Sequence, residues 1–163
     1  MYSSIQHQII AKIQHYCAFQ ERSHSEVREK LYGSGLYKSQ VETIITQLIE
    51  DNYLNEERFA VSFARGKFRI KNWGRIKIKY ELQQRKVSIY NITKALDEID
   101  ETEYNKVLQK LAEKKWKLVK ANHINVKKFK TIQFLAQRGF EKHLAKASVD
   151  KAATIEKQAK TIL

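Results

Sequence analysis

Nine cations, Arg65, Lys67, Arg69, Lys71, Arg75, Lys77, Lys79, Arg85 and Lys86, fall within residues 61–90, where the one acid is Glu81. Side chains of this type at this density suit phosphate oxygens or an acidic protein surface. Arg65 and Arg69 stand one helical turn apart and so share a face. Lys71 and Arg75 flank Trp73. Cations around a partly exposed indole suit a sugar-phosphate backbone carrying a stacked base. The plainer reading is a solvated basic face over a Trp73 packed in the core. Core packing is the expectation for Trp73, and a binding role for the cluster as a whole. A second basic set, Lys114, Lys115, Lys117, Lys120, Lys127, Lys128 and Lys130, lies further on, with Arg138 beyond it. Lys127, Lys128, Lys130 and Arg138 join the first cluster as candidate contacts, although a solubilising surface explains the lysines equally well.

Catalytic chemistry finds no footing. The five histidines, His7, His15, His24, His123 and His143, share no ligand spacing, and Cys17 is the single cysteine. No metal site is expected from such a set. There is no glycine-rich phosphate loop and no nucleophile elbow. Arg58 follows Glu56 and Glu57, and a local surface ion pair is its expected role. The chain therefore reads as a non-enzyme with no metal and no cofactor.

The net charge is +13, unevenly placed: residues 1–60 hold six cations against eight acids, and residues 91–163 hold sixteen against nine. The electrostatic footprint belongs to the middle and C-terminal parts. No apolar run is long enough to span a bilayer, and Met1 to Gln20 lacks the basic start and apolar block of a secretory signal. Cys17 sits in an apolar helical pattern and reads as a small core residue. A soluble, cytoplasmic protein is expected.

The elements that must position these residues read as helices. Proline is absent and glycine occurs five times, too few for the tight turns of a sandwich or barrel. Ile5, Ile9, Ile13 and Cys17 make an apolar stripe from about Ser4 to Gln20. Ser23 and Glu26 form a capping box for a short helix ending near Gly33 and Gly35. Val41, Ile44, Ile45, Leu48 and Ile49 give the buried face of a third. Asn55 caps a fourth, with Phe59, Phe63, Ala60 and Ala64 inward, broken at Asn72-Trp73-Gly74. Ser88 caps a helix with Ile89, Ile92 and Leu96 inside. Acids from Asp97 to Glu103 close that unit and open the next helix, on which Trp116 falls at core spacing. Asn125 caps another, through Phe129, Ile132 and Leu135, and a polar helix follows from about Glu141.

Arg75 to Leu82 alternates charged and apolar residues at period two, which taken locally is an edge strand. A repeat argues for helix instead. Leu31, Leu82 and Leu135 lie 51 and 53 residues apart, each followed by the same slot: Gly35, Lys86 and Gly139. A period near 50 points to stacked supersecondary units. The expected fold is all-α, three tandem three-helix bundles in an elongated, curved array, with repeats at 1–54, 55–99 and 100–163. Lys86 occupies a slot where a left-handed residue costs about 1 kcal/mol without glycine.

These repeats carry a family resemblance. Ser23-x-x-Glu26-Val27-x-x-Lys30-Leu31, Tyr53-Leu54-Asn55-Glu56-x-Arg58-Phe59-Ala60, Trp73-Gly74-x-x-Lys77-Ile78-x-x-Glu81-Leu82 and Phe134-Leu135-x-x-Arg138-Gly139-Phe140 resemble, in order, the signatures of RecX proteins. The family usually has two aspartates where Asn55 and Glu56 stand. The resemblance spans about residues 21–140. It implies a modulator that binds the RecA recombinase filament on DNA, lies in its helical groove and suppresses strand exchange and co-protease activity, with no catalytic residues to carry over. Single- and double-stranded DNA, bound without sequence preference, are the expected further partners, and a monomer is expected because stacked bundles need no partner to bury their core. From the residues alone two other classes stay open, a DNA-binding helical protein such as a helix-turn-helix repressor, and a basic adaptor for RNA or an acidic protein.

Overall fold

A computed structural model describes residues 3–161, in which nine helices follow one another: α1 (Ser4–Phe19), α2 (His24–Gly33), α3 (Lys38–Glu50), α4 (Glu56–Lys71), α5 (Arg75–Gln84), α6 (Ile89–Asp97), α7 (Glu101–Leu118), α8 (Ile124–Gln137) and α9 (Lys142–Thr161). The fold is all-α, built from successive three-helix repeats. The caps are local and legible. The Ser23 side chain accepts from the Glu26 amide, and Glu26 accepts from the Ser23 amide at 2.8 Å. Asn55 Oδ1 accepts from the Arg58 amide at 2.8 Å, and Asp100 Oδ1 from the Glu103 amide at 2.7 Å.

Arg75–Gln84 is a helix despite its alternating sequence. Ile78 and Leu82, four apart, are fully buried, while Ile76 and Tyr80, also four apart, are more than half exposed. The apparent period of two is two helical stripes, one turned inward and one to solvent.

The repeat is visible in the backbone. Leu31, Leu82 and Leu135 are fully buried, and Gly35, Lys86 and Gly139 are all left-handed, at φ 82°, 57° and 91°. In each, the slot residue's amide donates to the carbonyl three residues back at 2.9 Å. The next amide, of Val87 or Phe140, reaches the carbonyl of Leu82 or Leu135 at 3.2 and 3.1 Å. This is the left-handed helix stop that glycine favours. Lys86 adopts it at a steric cost, and its exposed side chain offers nothing visible in return. Replacing Lys86 with glycine should therefore raise stability by about 0.5–1 kcal/mol, read as a higher urea midpoint with unchanged slope.

Several local expectations change. Ile49, Ile89 and Phe129 face solvent rather than the core, because each lies beside the buried stripe of its helix. Helix α8 starts one residue before Asn125, with His123 at the cap position and no side-chain cap bond. Arg58 does not pair with its neighbours Glu56 and Glu57. It reaches back to Glu21 and to the side-chain and main-chain oxygens of Asn52, at 3.0 and 3.1 Å. It thus braces the turn where Asn52 is left-handed at φ 60°.

Two compact units divide the chain: Met1–Ala64 with Glu81–Leu96, and Arg65–Tyr80 with Asp97–Leu163. In the first, Ile13, Cys17, Val27, Leu31, Val41, Ile44, Ile45, Leu48 and Leu54 form one apolar cluster. Burial pushes the Cys17 thiol up to about 11, so it stays protonated and unreactive. In the second unit α7, α8 and α9 pack on one another. Its core includes Phe68, Ile78, Tyr104, Trp116, Leu135 and Phe140.

Candidate nucleic-acid interface

Five of the candidate side chains surround the α4–α5 loop, which the second unit holds tightly. Asn72 is left-handed at φ 53° and ends α4. The Trp73 amide then donates to the Lys67 carbonyl at 3.2 Å. The Gly74 amide donates to the Arg138 carbonyl at 2.8 Å, and the Ile76 amide to the Gly139 carbonyl at 3.0 Å. Arg138 closes the bracket by donating from Nη1 to the Lys71 carbonyl at 2.9 Å, with its guanidinium 5.1 Å from the centre of the Phe134 ring. The Trp73-Gly74 and Arg138-Gly139-Phe140 motifs are therefore two halves of one packing contact. Gly74 and Gly139 permit it, since a Cβ on either would sit 2.3 Å from the other segment.

Arg75 is anchored in the same region. Its guanidinium lies 3.8 Å from the centre of the buried Tyr104 ring, bonds to Glu101, and stands 3.6 Å from Glu141. The Arg75 amide donates to the Tyr104 hydroxyl at 3.1 Å, which in turn donates to Glu141 at 2.7 Å. Burial pushes the Tyr104 phenol well above its ordinary range, so it remains a donor. Tyr104 is also flanked by Phe68 and Phe140, with ring centres 5.6 and 5.2 Å away. An arginine this committed holds the fold.

The remaining α4 cations divide by helix face. Arg65 and Arg69 lie within 3.5 Å of Glu98 and 3.7 Å of Glu103 respectively. Both pairs are more than two-fifths exposed, so each contributes at most about 1 kcal/mol. The acids from Asp97 to Glu103, read from sequence as a boundary, supply much of the counter-charge for the arginines. Within residues 61–90 Glu81 is the one acid, and spacing gives no sign of the others.

The lysines differ. Lys67 and Lys71 are one turn apart on one face of α4, whereas Lys77 and Lys79, two residues apart on α5, point to opposite sides of it. Trp73, in the loop between the two helices, is half-buried rather than in the core as expected. The ammonium groups of Lys67 and Lys77 stand 5.0 and 4.5 Å from the centre of its ring. Such contacts contribute roughly 0.5–1 kcal/mol where water reaches them. Lys71 and Lys79 are exposed and have no carboxylate within ion-pair distance among the described residues.

The other candidates lie elsewhere. Arg85 belongs to the first unit, where it pairs with Glu81 at 2.8 Å and covers the Phe63 ring at 4.8 Å; Lys86 beside it is exposed. On α8, Lys127 lies 3.5 Å from Glu156 and 4.3 Å from the centre of the Trp116 ring, Lys128 bonds to Asp150 at 2.8 Å, and Lys130 is exposed. Trp116 is core, as its spacing implied, and its indole N–H donates to Glu156 at 2.8 Å, holding that carboxyl below its usual range. Among the described residues no cluster of three His, Cys, Asp or Glu side chains could hold a metal ion, and no helix is long and apolar enough to cross a membrane.

Comparison with known proteins agrees with this architecture. Residues 55–96 match the model of the RecX second three-helix domain, and residues 101–147 that of the third. The chain is 31% identical over 141 residues to the regulatory protein RecX of Prosthecochloris aestuarii, covering 85% of this chain and 89% of that protein. It is 33% identical over 122 residues to that of Clostridium perfringens, covering 74% of this chain. There the match spans 57% of the relative's length, so the chain corresponds to little more than half of that protein. The crystal structure of RecX from Lactobacillus salivarius superposes with a TM-score of 0.83 at 20% identity, covering 94% of this chain and 99% of that one. A second RecX crystal structure gives 0.80 at 21% identity, covering 90% and 72%. Sequence motifs, helix order and both domain matches agree: the chain belongs to the RecX family of regulatory proteins.

Proposed function

We propose that this chain is a non-catalytic regulator of homologous recombination that binds the RecA filament on DNA and inhibits its recombinase, ATPase and co-protease activities. Membership of a regulatory family supports the regulatory part. The observation that carries the DNA part is the run of lysines from the end of α4 into α5, where Lys71 and Lys79 have no carboxylate partner among the described residues. Point charges without a fixed geometry suit a phosphate backbone read without sequence preference. In this reading Lys67, Lys71, Trp73, Lys77 and Lys79 contact the partner, and Lys86 and Lys130 add weaker attraction. Arg75, Arg85, Arg138, Lys127 and Lys128 serve the fold, and Arg65 and Arg69 stand in reserve behind exposed ion pairs. The protein acts as a cytoplasmic monomer of three repeats, 1–54, 55–99 and 100–163.

The test is strand exchange and ATP hydrolysis by the recombinase on single-stranded DNA with substoichiometric protein. Inhibition well below one protein per recombinase subunit is expected. Activity unchanged at every ratio would sink the proposal. Tight binding to one duplex sequence over random DNA would point instead to a repressor.

A further inference from the structure

We infer that Trp73, with Lys67 and Lys77 over its ring and Lys71 one turn from Lys67 on α4, is a stacking site for an unpaired base of single-stranded nucleic acid. The inference rests on the reading above that the chain works on DNA, and it assigns that contact to one residue. Three observations carry it. Trp73 is held at a loop whose backbone is fixed on both sides, by the Lys67 carbonyl before it and the Arg138 and Gly139 carbonyls after it. Its position is therefore set before any ligand arrives, and little ordering is needed on binding. The ring is covered by lysine ammoniums at 5.0 and 4.5 Å rather than packed in the apolar core. Lysine stems are long and rotatable, so the Lys77 ammonium can swing from the ring to a phosphate oxygen when a base takes its place.

Charge placement supplies the third observation. The arginines of the same segment face glutamates: Arg65 Glu98, Arg69 Glu103, and Arg75 both Glu101 and Glu141. A polyanion approaching the arginine side meets carboxylates first. On the opposite face of α4, next to the indole, Lys71 has none within ion-pair distance among the described residues. A strand is thus steered to the face that also presents the indole. An unstacked base offers the flat π surface the indole can accept, whereas the bases of a duplex are already stacked. An acidic protein segment would use the lysines but has no need of the indole.

The chain itself makes the test simple. It has two tryptophans, and Trp116 is buried with its N–H bonded to Glu156. A change of emission on adding a deoxythymidine oligonucleotide therefore reports Trp73. We expect quenching that saturates with binding. Quenching should be absent in Trp73→Phe, which keeps a ring at the loop, and affinity in Trp73→Ala should fall on the order of tenfold. An abasic strand with the same number of phosphates should bind on the order of tenfold more weakly and leave emission unchanged. With about three phosphates contacted, log K should fall against log[salt] with a slope near −2.1. Lys71→Gln, at an exposed position, should lower that slope by about 0.7 while leaving the fold intact.

Equal affinity for the abasic and normal strands, or unaltered emission on binding, would overturn the site. So would tight binding to the recombinase with none to the oligonucleotide, which would assign the lysines to an acidic protein. Inhibition of strand exchange without quenching defeats this site and leaves the regulatory reading standing. Quenching without inhibition does the reverse.

Discussion

Alanine at Gly139 is expected to lower the stability of the unit formed by Arg65–Tyr80 and Asp97–Leu163 by about 3 kcal/mol. Two costs combine. Gly139 is left-handed at φ 91°, a conformation that costs a side-chain-bearing residue roughly 1–2 kcal/mol. A Cβ there would also lie 2.3 Å from the Cβ of Lys77 and 2.5 Å from its amide nitrogen. Neither atom belongs to a flexible side-chain end, so the start of α5 must move away, at roughly 1–3 kcal/mol. That movement breaks the bonds of the Gly74 and Ile76 amides to the Arg138 and Gly139 carbonyls. Gly74→Ala tests the same contact from the other side. Its Cβ would meet the Gly139 carbonyl at 2.3 Å and the Phe140 amide at 2.4 Å, and it too should destabilise by about 2–3 kcal/mol. Gly66→Ala is the control. It lies within α4, has nothing within 4 Å of an added Cβ, and should stabilise by about 0.5–1 kcal/mol. Both tryptophans fall in this unit, so their emission during urea unfolding gives the midpoints directly. Equal midpoints for Gly139→Ala and Gly66→Ala would show that the close approach is not a constraint.

Tyr104→Ala should cost about 3–5 kcal/mol, and Tyr104→Phe about 1–3 kcal/mol, in the same unit. Alanine removes a ring that is fully buried between Phe68 and Phe140, and leaves a cavity the neighbouring helices cannot fill. Phenylalanine keeps the ring but removes the hydroxyl that accepts from the Arg75 amide and donates to Glu141. Both partners then lose a bond, while the Arg75 guanidinium stays beside Glu141 and Glu101. The difference between the two variants measures packing apart from the polar bridge. Chemical denaturation monitored by far-ultraviolet circular dichroism and by tryptophan emission checks both. A phenylalanine variant as stable as the native chain would mean that water replaces the hydroxyl at no cost. The same bridge bears on variants used to probe binding. Replacing Arg75 weakens the unit itself, so a loss of DNA binding in such a variant would not locate the interface, whereas Lys71 and Lys79 can be changed without that ambiguity.

How much of this was legible in the sequence depends on the range over which the physics acts. Capping boxes, helix stops and apolar stripes work within a few residues. Ser23 with Glu26, Asn55 and Asp100 accordingly mark helix starts in the chain as in the fold. The repeat of Leu31, Leu82 and Leu135 resolved the one segment whose local pattern misled, because each leucine is followed by a left-handed stop whose amide bonds three residues back. It even marked Lys86 as the exception, at φ 57°. Exposure at the edge of a stripe was less legible. Ile49, Ile89 and Phe129 differ from buried neighbours by a rotation about the helix that only packing partners fix.

The basic cluster between residues 61 and 90 shows where sequence stops. The order of residues by itself determined that this protein is helical, strongly basic and without a recognisable catalytic constellation, and that its middle segment carries nine cations against one acid. Tertiary structure alone decided which of those cations keep their charge unanswered. It brought Glu98, Glu101, Glu103 and Glu141 to Arg65, Arg69 and Arg75, and set Arg138 as a brace on the Lys71 carbonyl. It left Lys71 and Lys79 facing solvent, and Trp73 half-buried beneath the Lys67 and Lys77 ammoniums. The reason is distance. Charge in a sequence counts residues, but Coulomb attraction falls with separation in space, and the acids nearest the arginines in space lie 26 to 66 residues away along the chain.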